Sequence, residues 1–334
     1  MKERLKIAIA GAGMVTRHHL IAWSCIPGVE VVAIYNRTPE KASARAREFG
    51  IPKVYSGIES MLDQEKPDAL DIAVAVEAHA AFAKMAAGRG IHILCQKPMT
   101  TTLKEAETLV AEIRERVKFM VHENWRFRPQ YRQAAKWIAE GKTGPIREFR
   151  LSTRSSGLIS RGESGRPFAI ERQPFFAHMP RFIILELLIH HLDTIRFLLG
   201  EMRVIGAQTS HISPEVIGED LAVILLKTEK GAIGMVSGNL STPGTSPLPR
   251  DRMELIGERS SILLENDTLT LSGESNETVH INLEEAYQAS YDNAISHFVE
   301  GLRTGKPFET DCFDNLKTLR LVDNAYRFAE NENL

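Results

Sequence analysis

The stretch IAIAGAGMVT, residues 7–16, decides how this chain is read. An apolar run ends at Gly11, two glycines flank Ala12, and Met14 and Val15 open a helical pattern. A strand entering such a turn brings backbone amides and a helix N-terminus to one point, the arrangement that receives the pyrophosphate of a dinucleotide. The third position of that fingerprint is Thr16, not Gly or Ala, so the motif is imperfect; Thr16 is still small enough for close backbone approach. A plain tight turn is the alternative. The position between a strand and a helix favours the ligand loop, with Gly11, Gly13, Met14 and Val15 as the expected cofactor contacts.

Working outward, short apolar runs alternate with helical patterns through residue 122: Leu5–Ala10, Val29–Tyr35, Lys53–Tyr55, Ala69–Val76, Ile91–Cys95 and Val117–His122. Amphipathic stretches such as 38–49 and 103–113 lie between them, with Gly50, Gly88, Gly90 and Pro67 as breakers. That alternation predicts an α/β fold with a parallel, doubly wound sheet. Near residue 145 the period changes to two, at Ile146–Thr153, Leu221–Thr228, Ala232–Gly238, Met253–Ile256, Ser261–Leu264 and Thr268–Leu271. These runs predict a large, mostly antiparallel sheet with one open face, followed by helices at about 288–303 and 314–330. The expectation is two contiguous domains: a Rossmann domain over 1–123 and an α+β domain over 124–334.

Composition bounds the function. The chain has 334 residues, enough for two cores, and 41 basic against 43 acidic residues leave a net charge of −2. No basic tract is present, so neither nucleic acid nor a membrane surface is expected as a partner. The start MKERLKIAIAGAG reads as a first strand, not a signal peptide, and no run reaches the roughly 18 apolar residues of a membrane span. Three separated cysteines, Cys25, Cys95 and Cys312, point to a reducing, cytoplasmic setting without disulfides or a metal cluster.

Three further stretches carry chemistry. About twenty residues beyond the glycines, where a dinucleotide fold usually places a carboxylate for the ribose, stand Asn36 and Arg37. Asn36 would not repel a 2′-phosphate and Arg37 could pair with one, so NAD and NADP are both admitted; an ordinary strand-end turn is the alternative. In CQKP, residues 95–98, a lysine follows an apolar strand and precedes a proline. Lys97 at the carboxyl end of a sheet strand reads as a cation for a substrate hydroxyl, or as a solvated strand end. In the apolar helix of residues 182–200, the spacing puts Glu186, His190 and Asp193 on one face, with His190 a candidate general base and a satisfied core histidine the alternative. No H-E-x-x-H arrangement is present, so no metal is expected.

Taken together, Gly11/Gly13, Lys97-Pro98 and Glu186…His190…Asp193 resemble the glucose–fructose oxidoreductase, inositol dehydrogenase and MocA (Gfo/Idh/MocA) family. Gly144-Pro145-Ile146, the hairpin from Glu219-Asp220 to Lys230-Gly231-Ala232, and the ending GLRTGKPF (301–308) extend the likeness over nearly the full length. The resemblance implies hydride transfer between NAD or NADP and a carbinol carbon of a sugar or polyol, and a homo-oligomer, dimer or tetramer, formed through the C-terminal sheet. It implies Lys97 as the catalytic lysine, His190 as acid/base with Glu186 beside it, and Val74, His79 and Gln96 near the nicotinamide. Gln96 stands where the family has an acid, Glu186 where it has the shorter aspartate, and Val74-Ala75 where it often has Thr-Pro. The stretch HENWRFRP (122–129) resembles the D-apiose dehydrogenase branch, with oxidation to a lactone as its implied reaction. It offers Asn124 and Arg126, with Asp193, as substrate contacts, or Arg126 as a brace at the domain junction. The Arg-rich insert 155–181 reads as a lid or as a surface or subunit-contact loop. Two other functions fit the same fold: NAD-dependent glycoside cleavage and a non-enzymatic nucleotide or sugar sensor.

Overall fold

The apolar runs of the first 122 residues pair side by side because most are buried on both faces, which suits parallel strands flanked by helices. The computed structural model of the chain describes residues 4–113 and 115–331. The strands are β1 (Leu5–Ala10), β2 (Val29–Tyr35), β3 (Lys53–Tyr55), β4 (Ala69–Ile72), β5 (His92–Gln96) and β6 (Phe119–His122). Their order is β3-β2-β1-β4-β5-β6, all parallel. The connecting helices are α1 (Met14–Ser24), α2 (Pro39–Phe49), α3 (Ile58–Glu65), α4 (His79–Ala87) and α5 (Leu103–Ile113). Strand order reverses between β1 and β4, the point beyond which open α/β sheets bind ligands. The run expected to extend to Val76 leaves the sheet after Ile72, and Val76–Ala78 form a 3₁₀ turn.

The second sheet contains β7 (Ile146–Arg154), β8 (Met202–Ser210), β9 (Leu221–Thr228), β10 (Ile233–Asn239), β11 (Arg250–Gly257), β12 (Ser260–Glu265), β13 (Thr268–Gly273) and β14 (Glu277–His280). It is ordered β14-β13-β12-β11-β7-β10-β9-β8 and antiparallel except for the β7–β10 pair. Burial alternates along β9, as expected of a sheet with one covered face. Sequence periodicity does not reveal β8 and β14. They are the two edge strands; β8 carries an irregularity at Val204/Gly206, and β14 has no buried residue. Helices α6 (Pro129–Ala139) and α8 (Ile189–Leu199) belong with this sheet, and the short α7 (Phe168–Arg172) lies in the Arg-rich insert.

The domain boundary differs from the expectation. One compact unit runs through Phe127 and takes in Tyr287–Leu319; the other comprises Arg128–Ala286 and the chain from Arg320. The cause is the apolar face of α9 (Leu283–Thr304), which precedes α10 (Cys312–Asn331). Tyr291, Ala294, Ile295, Phe298 and Val299 pack in one core cluster with Ile7, Ile9, Trp23, Ile34, Leu94 and Met120. Phe298 is fully buried, edge-on to Trp23 with ring centroids 6.2 Å apart, and stacks on Phe308 at 5.2 Å. Helical periodicity shows that α9 has such a face; only packing shows which core it completes.

Phe298→Ala leaves a ring-sized cavity in the first unit and should cost about 3–5 kcal/mol. Urea unfolding followed by tryptophan fluorescence measures it, and a loss below about 1 kcal/mol would place α9 outside that core.

Candidate functional site

The turn after β1 is shaped by contact with β4. Gly11 has φ +122°, and a Cβ there would lie 2.1 Å from the Ala73 carbonyl oxygen, so no side chain fits. Its N–H donates to the Tyr35 carbonyl at 2.8 Å, and the Ala73 N–H donates to the Ala10 carbonyl at 2.7 Å. Gly13 is different: an added Cβ would meet nothing within 4 Å. It precedes α1 with no side-chain cap, and the first turn of α1 holds no acid. A helix N-terminus without a side-chain cap or an acid suits an anion, and the space beside Gly13 suits its close approach, as a dinucleotide pyrophosphate requires. Thr16 is fully buried, filling the third fingerprint position. At the end of β2, the Asn36 amide donates back to the Thr38 carbonyl at 3.0 Å, while Arg37 is exposed.

Lys97 follows β5, half-buried, and its peptide bond to Pro98 is cis. Two side chains expected near a cofactor turn out to hold this loop from inside. The His79 ring is buried, with Nδ1 2.9 Å from the Pro98 carbonyl and Nε2 3.1 Å from the Val74 carbonyl. Burial lowers its pKa and outweighs those two carbonyls, which favour the proton. The neutral ring donates to one of these carbonyls, and both of its nitrogens face the β4 and β5 loops from inside. Gln96 is also buried: its Oε1 accepts the Lys97 N–H at 3.2 Å, and its Nε2 meets His19 at 2.7 Å and His122 at 3.1 Å. Val74 remains beside this loop, half-buried.

Asn124 and Arg126, expected as substrate contacts, are turned into their own unit. Asn124 donates to Ser290 Oγ at 2.7 Å. Arg126, 5% exposed, donates to the Glu309 carbonyl and to Asp314 Oδ2, both at 3.0 Å. These bonds join Arg126 to the segment before α10 and to its first turn, within the same unit.

In the second unit the helix carrying Glu186 is not regular. Ile183–Leu188 are π-helical, and α8 begins only at Ile189. The wider turn, with its i→i+5 bonds, takes Glu186 off the α-helical spacing that would align it with His190 and Asp193. Glu219 holds the start of the turn, accepting the N–H groups of Phe182 and Ile184 and the hydroxyl of Tyr326. His190 is buried, and its carbonyl accepts the Thr194 hydroxyl at 2.8 Å. Asp193 is fully buried 4.0 Å from Arg196, which suits a structural pair and not a substrate contact.

The neighbouring His191 anchors a cluster that sequence reading missed. Its Nδ1 lies 3.2 Å from the Leu187 carbonyl inside the π turn, and its Nε2 lies 3.0 Å from Asp251 Oδ1. Tyr131 and Arg128 donate to Asp251 Oδ2 at 2.8 and 3.3 Å. Burial pushes the Asp251 carboxyl up, but His191, then Arg128 and Tyr131, outweigh it and hold the group well below the usual carboxylate range. Asp251 sits 60 residues from His191, a separation at which local spacing says nothing. The nearest signal was the Arg128-Pro129-Gln130-Tyr131 run. Among the described residues no group of three His, Cys, Asp or Glu is placed to hold a metal ion, and no helix is long and apolar enough to cross a membrane.

A Rossmann sheet with an uncapped glycine turn at its switch point defines a dinucleotide-binding protein, and comparison with known proteins agrees. Residues 5–123 match the family model "Oxidoreductase family, NAD-binding Rossmann fold", and residues 131–263 match the GFO/IDH/MocA C-terminal domain. The D-apiose dehydrogenase of Paraburkholderia graminis is 34% identical over 98% of this chain and 88% of its own length. That of Rhizobium rhizogenes is 30% identical over 98% and 96%. The crystal structure of an oxidoreductase from Agrobacterium radiobacter, in complex with NAD+, L-tartaric acid and magnesium, superposes with TM-score 0.91 at 30% identity, covering 98% of this chain and 97% of that one. The chain belongs to the GFO/IDH/MocA family of NAD-binding oxidoreductases.

Asp251→Asn should cost about 3 kcal/mol at neutral pH, because it removes one charge from a buried, hydrogen-bonded pair. A depressed folded-state pKa stabilises above the ordinary value of about 3.9 and loses that contribution as pH falls through the lower one. The difference between wild type and variant should therefore be full at neutral pH and shrink below about pH 4, which urea titrations at both pH values measure.

Proposed function

We propose that this protein is an NAD-dependent dehydrogenase that oxidises a carbinol carbon of a sugar or polyol, with D-apiose the first substrate to assay. The observation that carries the reading is Lys97: a half-buried lysine at the carboxyl end of β5, in a loop held from beneath by Gln96 and His79. The two D-apiose dehydrogenases similar to it over almost the whole chain support the substrate class. Bound NAD would supply a hydride acceptor. Gly11, Gly13 and the α1 N-terminus would hold its pyrophosphate. Lys97 would hydrogen-bond the substrate hydroxyl and stabilise developing negative charge on its oxygen. His190 is assigned the hydroxyl proton and Glu186 a substrate contact. Oxidation of a hemiacetal carbon would yield a lactone, which water opens to an acid.

Three finer assignments belong to the same proposal. NAD is the cofactor, and NADP is the second to assay, because Asn36 carries no charge to repel a 2′-phosphate and Arg37 is exposed next to it. The protein self-associates through the open sheet face, where Leu225, Ile233 and Ile256 are exposed. All three cysteines are free, which suits the reducing cytoplasm.

NADH formation at 340 nm, screened over D-apiose, aldoses, inositols and other polyols with both cofactors, tests the activity. Lys97→Met and His190→Ala should each lower turnover about 10²–10⁴-fold while NAD binding persists. Substrate loss without net NADH would overturn the dehydrogenase reading. Arg37→Ala should raise KM for NADP about tenfold and leave NAD unaffected; an unchanged KM for NADP removes the phosphate role.

A further inference from the structure

The buried polar groups that this chemistry leaves unused form one chain across the first unit: Asp71, His19, Gln96 and His122, each 8% exposed or less. The Lys97 N–H donates to Gln96 Oε1 at 3.2 Å, which settles the orientation of the amide. Nε2 must then face His19 Nε2 at 2.7 Å and His122 Nδ1 at 3.1 Å. An amide nitrogen only donates, so both imidazole atoms it meets must present lone pairs. His19 consequently carries its proton on Nδ1, where Asp71 Oδ2 accepts it at 2.8 Å beside a second donor, Trp23 Nε1, at 2.7 Å. His122 carries its proton on Nε2. The two rings are tilted by 39° with centroids 4.3 Å apart, so neighbouring imidazolium charges would repel.

We propose that Gln96 is a positioning residue for Lys97 and acts as one only while His19 and His122 are both neutral. A proton on either facing nitrogen sets donor against donor. Relief requires the amide to turn over, which presents its NH₂ to the Lys97 N–H and breaks that bond. The other ionisable groups beside the chain are Cys95 and Lys97 on either side of Gln96, Glu123 next to His122, and Tyr291 of α9, whose ring also meets His18 of α1. Burial, then Asp71, raises the Cys95 pKa, so Cys95 stays an uncharged thiol. Tyr291 packs its ring against both His122 and His18. The proposal rests on Lys97 being the substrate-facing cation, but the state of the chain can be read without turnover.

Gln96→Glu inverts the requirement, because a carboxylate needs donors on both facing nitrogens. It would raise the folded-state proton affinity of the histidines. The resulting stabilisation is full below their ordinary pKa of about 6.5 and is lost as pH rises through the raised value. The test compares wild type with Q96E by urea midpoint and by kcat/KM, from about pH 5.5 to about pH 8.5. Taking the ratio cancels His190, which both proteins share. The Q96E to wild-type ratio of kcat/KM should rise about tenfold or more as pH falls, and the gap in urea midpoint should narrow in step. A ratio and a gap that stay level with pH overturn the proposal. If Q96E does not fold at neutral pH, recovery of folded protein near pH 5.5 supports it, and failure at every pH overturns it. Should no substrate turn over, the urea series decides alone, so failure of the dehydrogenase reading is seen separately.

Discussion

The first unit depends on how closely the β1 turn approaches β4. At Gly11 the backbone passes so near the Ala73 carbonyl that a Cβ would lie 2.1 Å from its oxygen. This approach lets the chain turn into α1, which begins without a side-chain cap at the sheet's switch point. A side chain there would push β1 from β4 or send α1 elsewhere. Gly13, with nothing within 4 Å of an added Cβ, has the complementary role of leaving room. Two glycines two residues apart thus meet opposite physical demands, one for contact and one for space.

Polar groups buried beneath the loops do the next task. His79 lies between the Val74 and Pro98 carbonyls and donates to one of them, and Gln96 links the Lys97 amide to two histidines and, through His19, to Asp71. Such groups are costly to bury unless hydrogen-bonded, and once satisfied they specify one arrangement. They explain how a flexible lysine side chain can start from a fixed backbone. Gln96 and His79, which the family resemblance implied as cofactor neighbours, direct their polar atoms inward to this loop and its neighbours.

In the second unit the corresponding device is the π turn before α8. Glu219 secures its first amides, while His191 ties its Leu187 carbonyl to the Asp251 cluster. His190 lies in the first turn of a regular helix that directly follows an irregular one, so its backbone is held from both sides. π turns inside helices commonly mark functional positions.

Local pattern alone determined the sheet class of each half, the glycine turn and the Lys97 loop, because strand period, helix period and breakers act over a few residues. Resemblance of several motifs together reached the family. The edge strands β8 and β14 escaped because they lack a clean alternation of buried residues. Tertiary structure decided the rest. It sent α9 into the first core, spent Asn124, Arg126 and Asp193 on internal partners, and assembled Asp251 with His191 and Gln96 with His19 and His122. These outcomes rest on partners from 3 to 188 positions apart, whose match is set by which buried polar group finds a donor or acceptor once the core has closed.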